Sequence, residues 1–96
     1  MPQISKEKKD KISEQILAYL FNQSPESKFT STIAKELARD EEFTKKLLRE
    51  LQKQKLIIKI KKNPSGTEYL RRERWRLSNS TFEIYKKHQN ENLYNK

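Results

Sequence analysis

Basic side chains are concentrated in one quarter of the chain, between residues 53 and 76. This segment has nine lysines and arginines against two acidic residues, a net charge of +7, whereas residues 1–52 have a net charge of +1. Residues 77–96 add another +1, so the segment holds most of the formal net charge of +9. Concentrated positive charge of this kind usually faces a polyanion, either a nucleic acid or an acidic membrane surface. A general abundance of lysine explains the balanced first half of the chain but not this imbalance.

Apolar and basic residues alternate on both sides of the only glycine, Gly66. Successive side chains of a strand point to opposite faces, so the two alternating runs predict two strands. Gly66, in the sequence NPSG, can supply the positive φ of a turn between them, which predicts a β-hairpin. The alternation predicts a basic face with Lys59, Lys61, Arg72, Arg74 and Arg76, and an opposite face with Ile58, Ile60 and Trp75.

The basic face of the predicted hairpin brings like charges together. Such charges repel one another and destabilise the hairpin, so a bound anion is their natural counterpart. Trp75 is expected to be an anchor in the core rather than a platform for stacking bases. Tyr69, nearer the turn, is the better candidate for an exposed aromatic side chain.

Residue types that enzymes and metal sites use are scarce. The absence of cysteine excludes disulfides, thiolate metal sites and cysteine nucleophiles. His88 is the only histidine and lies in the polar tail, and the sequence has no glycine-rich phosphate loop and no cluster of metal ligands. We therefore expect no catalytic activity, no cofactor, no metal and no small-molecule substrate.

Targeting signals are also absent from the sequence. No apolar run approaches the roughly 18 residues that a membrane span needs, and no signal peptide opens the chain. We therefore expect an intracellular protein without a membrane partner, located in the nucleus if the source is eukaryotic and in the cytoplasm otherwise.

Three helices are predicted ahead of the hairpin. Ile12, Ile16 and Leu20 recur every four residues and predict a first helix, which Ser5 can cap. Thr30 is expected to cap a short second helix.

The third predicted helix begins at Asp40, whose carboxylate can cap it, and buries a stripe of leucines. Lys46, Arg49 and Lys53 are separated by three and four residues and therefore share the other face, with Lys45 beside them.

One domain is expected from a chain of 96 residues. Residues 1–9 are predicted to be a charged extension or the first turns of helix 1, and residues 10–78 the domain itself. Residues 79–96 are predicted to form a short helix, begun by Ser80 and Glu83 at capping-box spacing, and a frayed tail. The predicted fold class is α+β, mainly α, with three helices followed by a two-stranded hairpin and a short C-terminal helix.

This order of elements resembles the winged helix-turn-helix superfamily. The stretch TSTIAKELARDEEFTKKLLRELQKQKLI resembles the helix-turn-helix pattern of that family, and the stretch ending in WRLS resembles its second wing strand. The resemblance covers about residues 10–78, and it is a match of fold in a superfamily with many functions. One departure is Lys55, which stands where the family usually has a glycine before the residues LI.

The resemblance implies that helix 3 enters the major groove of DNA while the wing contacts a neighbouring groove or the backbone. Phosphate neutralisation with release of counterions would drive binding, most simply to double-stranded DNA, and Arg49 is the expected base contact. Asp40, Glu41 and Glu42 begin helix 3, and two interpretations of them stay open. They are only caps of the helix, or they also oppose close docking of a polyanion, which would make the wing the main contact instead. The residues expected to contact nucleic acid are Lys45, Lys46, Arg49, Lys53, Lys59, Lys61, Lys62, Arg72, Arg74 and Arg76.

Two alternatives within the same superfamily stay open. The element order is also similar to the C-terminal domain of the middle subunit of replication protein A and its telomere-capping relatives. That resemblance implies docking of protein subunits in single-strand or telomere complexes, which suits the acidic start of helix 3 better than it suits the basic segment. A second branch binds left-handed DNA through an asparagine and a tyrosine on helix 3 and prolines before a tryptophan. Trp75 matches, but Lys45 and Arg49 stand near the places of the asparagine and the tyrosine, and Arg-Glu-Arg precedes Trp75, which disfavours this branch.

Overall fold

The structure, a computed structural model, describes residues 5–60 and 73–94, with side chains up to residue 89. It confirms the predicted class, with three helices ahead of two antiparallel strands and one helix behind them. It adds a two-residue strand that the sequence did not predict, and the last helix is longer than expected. The predicted turn at Gly66 and the predicted exposure of Tyr69 lie outside the described residues. The elements are α1 (Lys6–Gln23), β1 (Lys28–Phe29), α2 (Thr30–Glu36), α3 (Glu41–Lys53), β2 (Ile57–Ile60), β3 (Arg74–Leu77) and α4 (Asn79–Tyr94).

Two predicted helix caps are confirmed. The hydroxyl of Ser5 accepts a hydrogen bond from the backbone amide of Lys8 at 3.2 Å, at the start of α1. The carboxylate of Asp40 accepts one from the backbone amide of Phe43 at 3.0 Å, at the start of α3. Each bond satisfies an amide that the first turn of a helix leaves without a partner.

Two other predicted caps are wrong. Phe29 occupies the N-cap position of α2 without a side-chain cap, and Thr30 is the first helical residue. The hydroxyl of Thr30 is buried and accepts a hydrogen bond at 2.8 Å from the indole nitrogen Nε1 of Trp75. At the start of α4, the hydroxyl of Ser78, rather than that of Ser80, accepts a hydrogen bond from the backbone amide of Thr81 at 3.3 Å.

The ends of α2 and α3 use left-handed backbone at residues other than glycine. Ala38 has a φ of 53° and Lys55 a φ of 65°. After α3 the amide of Lys55 donates to the carbonyl of Gln52 at 2.9 Å, and the amide of Leu56 donates to that of Leu51 at 3.1 Å. This pair of bonds is the Schellman motif, which glycine usually closes because a Cβ atom is unfavourable at positive φ. Lys55 therefore adopts the conformation that a glycine would adopt more easily.

The three strands form one antiparallel sheet in the order β1-β3-β2. Directly opposed residues of neighbouring strands project from the same face of a sheet. Between β2 and β3 the register places Ile57 opposite Leu77, Ile58 opposite Arg76, Lys59 opposite Trp75 and Ile60 opposite Arg74.

The predicted basic face of the hairpin is therefore partly wrong. Arg74 and Arg76 do lie on the face opposite Trp75, as predicted, but Lys59 lies on the same face as Trp75. The side chain of Lys59 thus belongs to the inner face of the sheet and not to a shared row with the arginines.

The isoleucines of β2 are likewise distributed differently from the prediction. Ile57 is fully buried under the sheet, whereas Ile58 and Ile60 project from the other face and are half-buried. The run Leu56-Ile57-Ile58 contains apolar residues of both parities, so alternation alone did not decide which isoleucine faces the core.

A single core lies between the helices and the inner face of the sheet. Trp75 is fully buried at its centre, as predicted, and the indole hydrogen bond to Thr30 satisfies its one polar atom. The buried stripe of α1 is confirmed as well. The core consists of Ile12, Ile16, Leu17, Leu20, Ile33, Leu47, Leu48, Leu51, Ile57, Trp75 and Leu77.

Candidate nucleic-acid interface

Helix α3 has a buried face and a charged, exposed face. Its buried face packs into the core through Thr44, Leu47, Leu48 and Leu51. Lys46, Arg49 and Lys53 are exposed, and their spacing of three and four residues places them together on the opposite face. We refer to these three residues as the α3 stripe. The fourth predicted contact on this helix, Lys45, is half-buried and flanks the stripe.

The cations of the α3 stripe have no acidic partner in the part of the chain that the structure describes. Glu50 follows Lys46 by four residues, a spacing that permits an ion pair, yet none is formed. A phosphate that binds here would therefore replace water and counterions, not an internal carboxylate.

The acidic residues at the start of α3 differ in their surroundings. The carboxylate of Asp40 caps the helix, which supports the interpretation of this residue as a cap. Glu41 and Glu42 are exposed in the first turn, where the helix dipole favours negative charge.

Arg74, which was predicted to face nucleic acid, is half-buried and makes contacts within the protein. Its Nη2 donates a hydrogen bond to the backbone oxygen of Ser27 at 3.1 Å, and its Cζ lies 5.0 Å from the centre of the Phe29 ring. The guanidinium therefore links β3 to the segment that leads into α2, through a hydrogen bond and a cation–π contact. Sequence reasoning missed Ser27 and Phe29 as its partners.

Arg76 and Lys59 are also half-buried and engaged within the protein. Nη1 of Arg76 donates to the backbone oxygen of Leu77 at 3.1 Å and to Oδ1 of Asn79 at 3.4 Å. Nζ of Lys59 lies 3.8 Å from Oε1 of Glu73. We refer to Lys59, Arg74 and Arg76 as the strand cations. The other three predicted contacts, Lys61, Lys62 and Arg72, lie outside the described residues, and their role stays a prediction.

The last helix, α4, packs on α1 through aromatic side chains. The ring of Phe21 lies 5.4 Å from that of Phe82 and 5.6 Å from that of Tyr85, between ring centres. The hydroxyl of Tyr85 donates to Oε2 of Glu14 at 3.1 Å. Burial, and then the charge of the Glu14 carboxylate and this hydrogen bond, raise the pKa of Tyr85 to about 12. Tyr85 is therefore protonated at neutral pH and stays a donor to Glu14.

Histidine and acidic side chains are the remaining candidate metal ligands in the described ranges, residues 5–60 and 73–94. No group of three or more histidine or acidic residues within them could hold a metal ion. None of the described helices is both long and apolar enough to cross a membrane. The lone histidine, His88, lies exposed on α4.

Solved structures, among them two complexes with DNA, share this arrangement. The MepR–DNA complex of S. aureus superposes with a TM-score of 0.69 at 26% sequence identity, over 88% of this chain and 66% of that chain. A double mutant of Lactococcus lactis ZitR in its apo form gives a TM-score of 0.68 at 24% identity, over 92% and 61% of the two chains. The Zα domain of Carassius auratus PKZ in complex with Z-DNA gives 0.56 at 21% identity, over 73% and 97%.

The chain spans about half to two thirds of the length of the MepR and ZitR chains that it resembles. It spans 51% of a mutant MepR from a multidrug-resistant S. aureus clinical isolate, to which it is 27% identical with a TM-score of 0.63. No protein-family profile and no curated protein matches the sequence. In the shared fold, α2 and α3 form the helix-turn-helix, while β2 and β3 form the base of the wing. The chain is a winged helix-turn-helix domain.

Proposed function

We propose that this domain binds double-stranded DNA, with α3 in the major groove. The observation that carries the proposal is the α3 stripe, three exposed cations without acidic partners among the described residues. Major-groove binding by the second helix of the helix-turn-helix is the usual docking geometry of this fold. The similarity to MepR, whose structure was solved with DNA, supports the same geometry here.

The α3 stripe provides two kinds of contact. Lys46 and Lys53 are seven residues apart and lie roughly 10 Å from each other along the helix axis, since each residue rises about 1.5 Å. As compact point charges they suit phosphates on the walls of the groove. Arg49 lies between them, and its planar guanidinium suits the O6 and N7 atoms of guanine. Lys45 on the flank adds to the positive field.

We propose a different role for the strand cations. Because each of them already contacts a polar group within the protein, they hold the base of the wing in place and contribute to binding mainly through long-range attraction. The wing residues Lys61, Lys62 and Arg72 are proposed to contact the backbone or a neighbouring groove, as the family geometry suggests.

Catalysis is not part of the proposal. The similar protein MepR was solved in complex with DNA, and we propose a regulatory domain whose partner is nucleic acid. Transcription regulation is the process in which such a domain would act.

Fluorescence anisotropy with labelled double- and single-stranded DNA, at salt concentrations from about 50 to about 200 mM, tests this function. We expect tighter binding to the duplex and a steep loss of affinity with salt, because counterion release drives binding to phosphates. The double variant Lys46→Ala/Arg49→Ala should lose at least about tenfold in affinity, since it removes one phosphate contact and one base contact.

The matched control is Lys86→Ala/Lys87→Ala, which removes the same charge from exposed positions of α4. This helix packs against α1 and not within the helix-turn-helix, so the control should retain most of the affinity. Equal losses in the two double variants, or no duplex binding at the lowest salt concentration, would contradict the proposal.

Docking of a protein subunit is the second candidate function. Ile84 on α4 is the one large apolar side chain that is exposed among the described residues, with 55% of its surface accessible. Light scattering after size exclusion, with wild type and Ile84→Glu, tests whether this position mediates association. If the mass of wild type exceeds that of a monomer and Ile84→Glu lowers it, this position docks a second copy of the chain. A monomeric wild type would oppose such self-association.

A further inference from the structure

Glu42 shares the exposed face of α3 with the cations of the α3 stripe. It precedes Lys46 by four residues and Arg49 by seven, so the helical repeat aligns it with them and away from the buried leucines. Its side chain is exposed, and its carboxylate has no hydrogen bond or ion pair to any residue that the structure describes.

The other two acids at this end of α3 lack this combination. The carboxylate of Asp40 is occupied by the backbone amide of Phe43. Glu41 precedes the buried Thr44 by three residues, so it lies on the side of the helix that borders the core and not on the face of the α3 stripe. The helix dipole favours Glu41 and Glu42 alike, so it does not distinguish them, and only Glu42 lies in the row of the α3 stripe.

A carboxylate in this row is unfavourable for binding to phosphates alone. At close range it repels them, and that repulsion weakens binding to every DNA sequence equally. The repulsion is offset only where the carboxylate accepts a hydrogen bond from the DNA. In the major groove, the exocyclic N4 amine of cytosine is a donor that a glutamate can reach, and the N-terminal residues of the recognition helix are those that approach base edges.

We propose that Glu42 is a specificity-determining residue that accepts a hydrogen bond from the N4 amine of a cytosine in the major groove. This inference rests on the proposed function and deepens it. Arg49, seven residues further along the same face, would read a guanine roughly 10 Å away along the helix, given a rise of about 1.5 Å per residue. The α3 face would thus combine an acceptor and a donor, so that it discriminates bases as well as neutralising phosphates.

Selection from a randomised pool of double-stranded DNA, followed by sequencing, tests the inference. We expect wild type to enrich cytosine at one position, by roughly tenfold or more over the other bases. Glu42→Gln should exchange this cytosine for adenine, because an amide pairs with the N6 and N7 atoms of adenine. Glu42→Ala should lose the preference at that position while keeping the others.

Glu41→Gln is the matched control, because it removes the same charge one residue away and off the row of the α3 stripe. We expect it to raise affinity for all sequences slightly and to leave base preferences unchanged.

The inference is overturned if Glu42→Ala keeps the base preferences of wild type while still binding DNA, because Glu42 would then contribute only repulsion. Failure of every variant and of wild type to retain any DNA is a different result, which would refute the proposed function itself. Circular dichroism of each variant confirms that the helix content is unchanged.

Discussion

The α3 stripe and the strand cations each contain three basic residues, but the two groups have different surroundings. The side chains of the α3 stripe are exposed and have no acidic partner among the described residues. Those of the strand cations are half-buried and contact backbone oxygens, an amide, an aromatic ring or a carboxylate. Positive charge in the sequence therefore does not by itself mark a contact for DNA. A basic residue can instead stabilise the fold, and the contacts that its side chain makes within the protein distinguish the two cases.

The largest expected effect tests whether the strand region is structural. Trp75→Ala should lower the free energy of unfolding by about 3–5 kcal/mol, because it opens a cavity at the centre of the core. Trp75→Phe keeps a smaller ring there but removes the hydrogen bond to Thr30, and should cost about 1–3 kcal/mol. Urea unfolding measured by circular dichroism gives both values, and a small cost for the alanine variant would contradict the central position of Trp75.

The next prediction concerns Arg74, where the two interpretations of a basic residue differ most clearly. Arg74→Met should lower the free energy of unfolding by about 1–3 kcal/mol, since the Ser27 oxygen loses a charged donor and the Phe29 ring loses a cation. Arg49→Met, at an exposed position of α3, should change stability by less than about 0.5 kcal/mol. Equal stability of the two variants in urea unfolding would remove the distinction between the groups.

Lys55 connects the two regions and provides a smaller effect of opposite sign. Lys55→Gly should raise the free energy of unfolding by about 1 kcal/mol, because glycine adopts a positive φ without a Cβ penalty. Lys55→Ala keeps the Cβ atom and removes only the charge, so it should give no comparable gain. Thermal unfolding of the three proteins at one salt concentration measures the difference, and a less stable glycine variant would contradict the strain at this residue.

The smallest effect lies at the junction of α1 and α4. Because the pKa of Tyr85 is raised in the folded state to about 12, above the ordinary value of 10.0, its contribution to stability is complete below pH 10 and is lost between pH 10 and about 12. Tyr85→Phe cannot lose a proton, so its stability should fall less than that of wild type over this range. Urea unfolding of both proteins at pH 9 and pH 11.5 would show this difference. An identical decline in the free energy of unfolding of the two proteins would contradict the raised pKa.

Local features of the fold were the most predictable. Ser5 and Asp40 were predicted as caps because the bond of a cap joins residues three apart, and the sequence alone contains that information. The exposed face of α3 was predictable for the same reason, since the helical repeat fixes which residues share a side. Whether the predicted side chains contact DNA stays a prediction.

Features that depend on distant residues were not predictable. The partner of Arg74, Ser27, is 47 residues away in the chain, and the partner of Trp75, Thr30, is 45 residues away. Strand β1 has two residues, too few for any alternation to be seen. In β2, consecutive apolar residues are compatible with either face pointing to the core. Ile57 is the isoleucine that is buried, and Lys59, two residues later, therefore lies on the same face.

The central claim is that, among the described residues, α3 and not the strands supplies the contacts to phosphates. Its most direct test is the slope of the logarithm of DNA affinity against the logarithm of salt concentration, for wild type, Lys46→Met/Lys53→Met and Arg74→Met/Arg76→Met. Methionine keeps the apolar stem of each side chain and removes two charges in either variant. We predict that the α3 variant has a slope shallower by about 2, close to 0.9 for each phosphate that the variant no longer neutralises, whereas the slope of the strand variant changes much less. A shallower slope in the folded strand variant, with an unchanged slope in the α3 variant, would contradict the account.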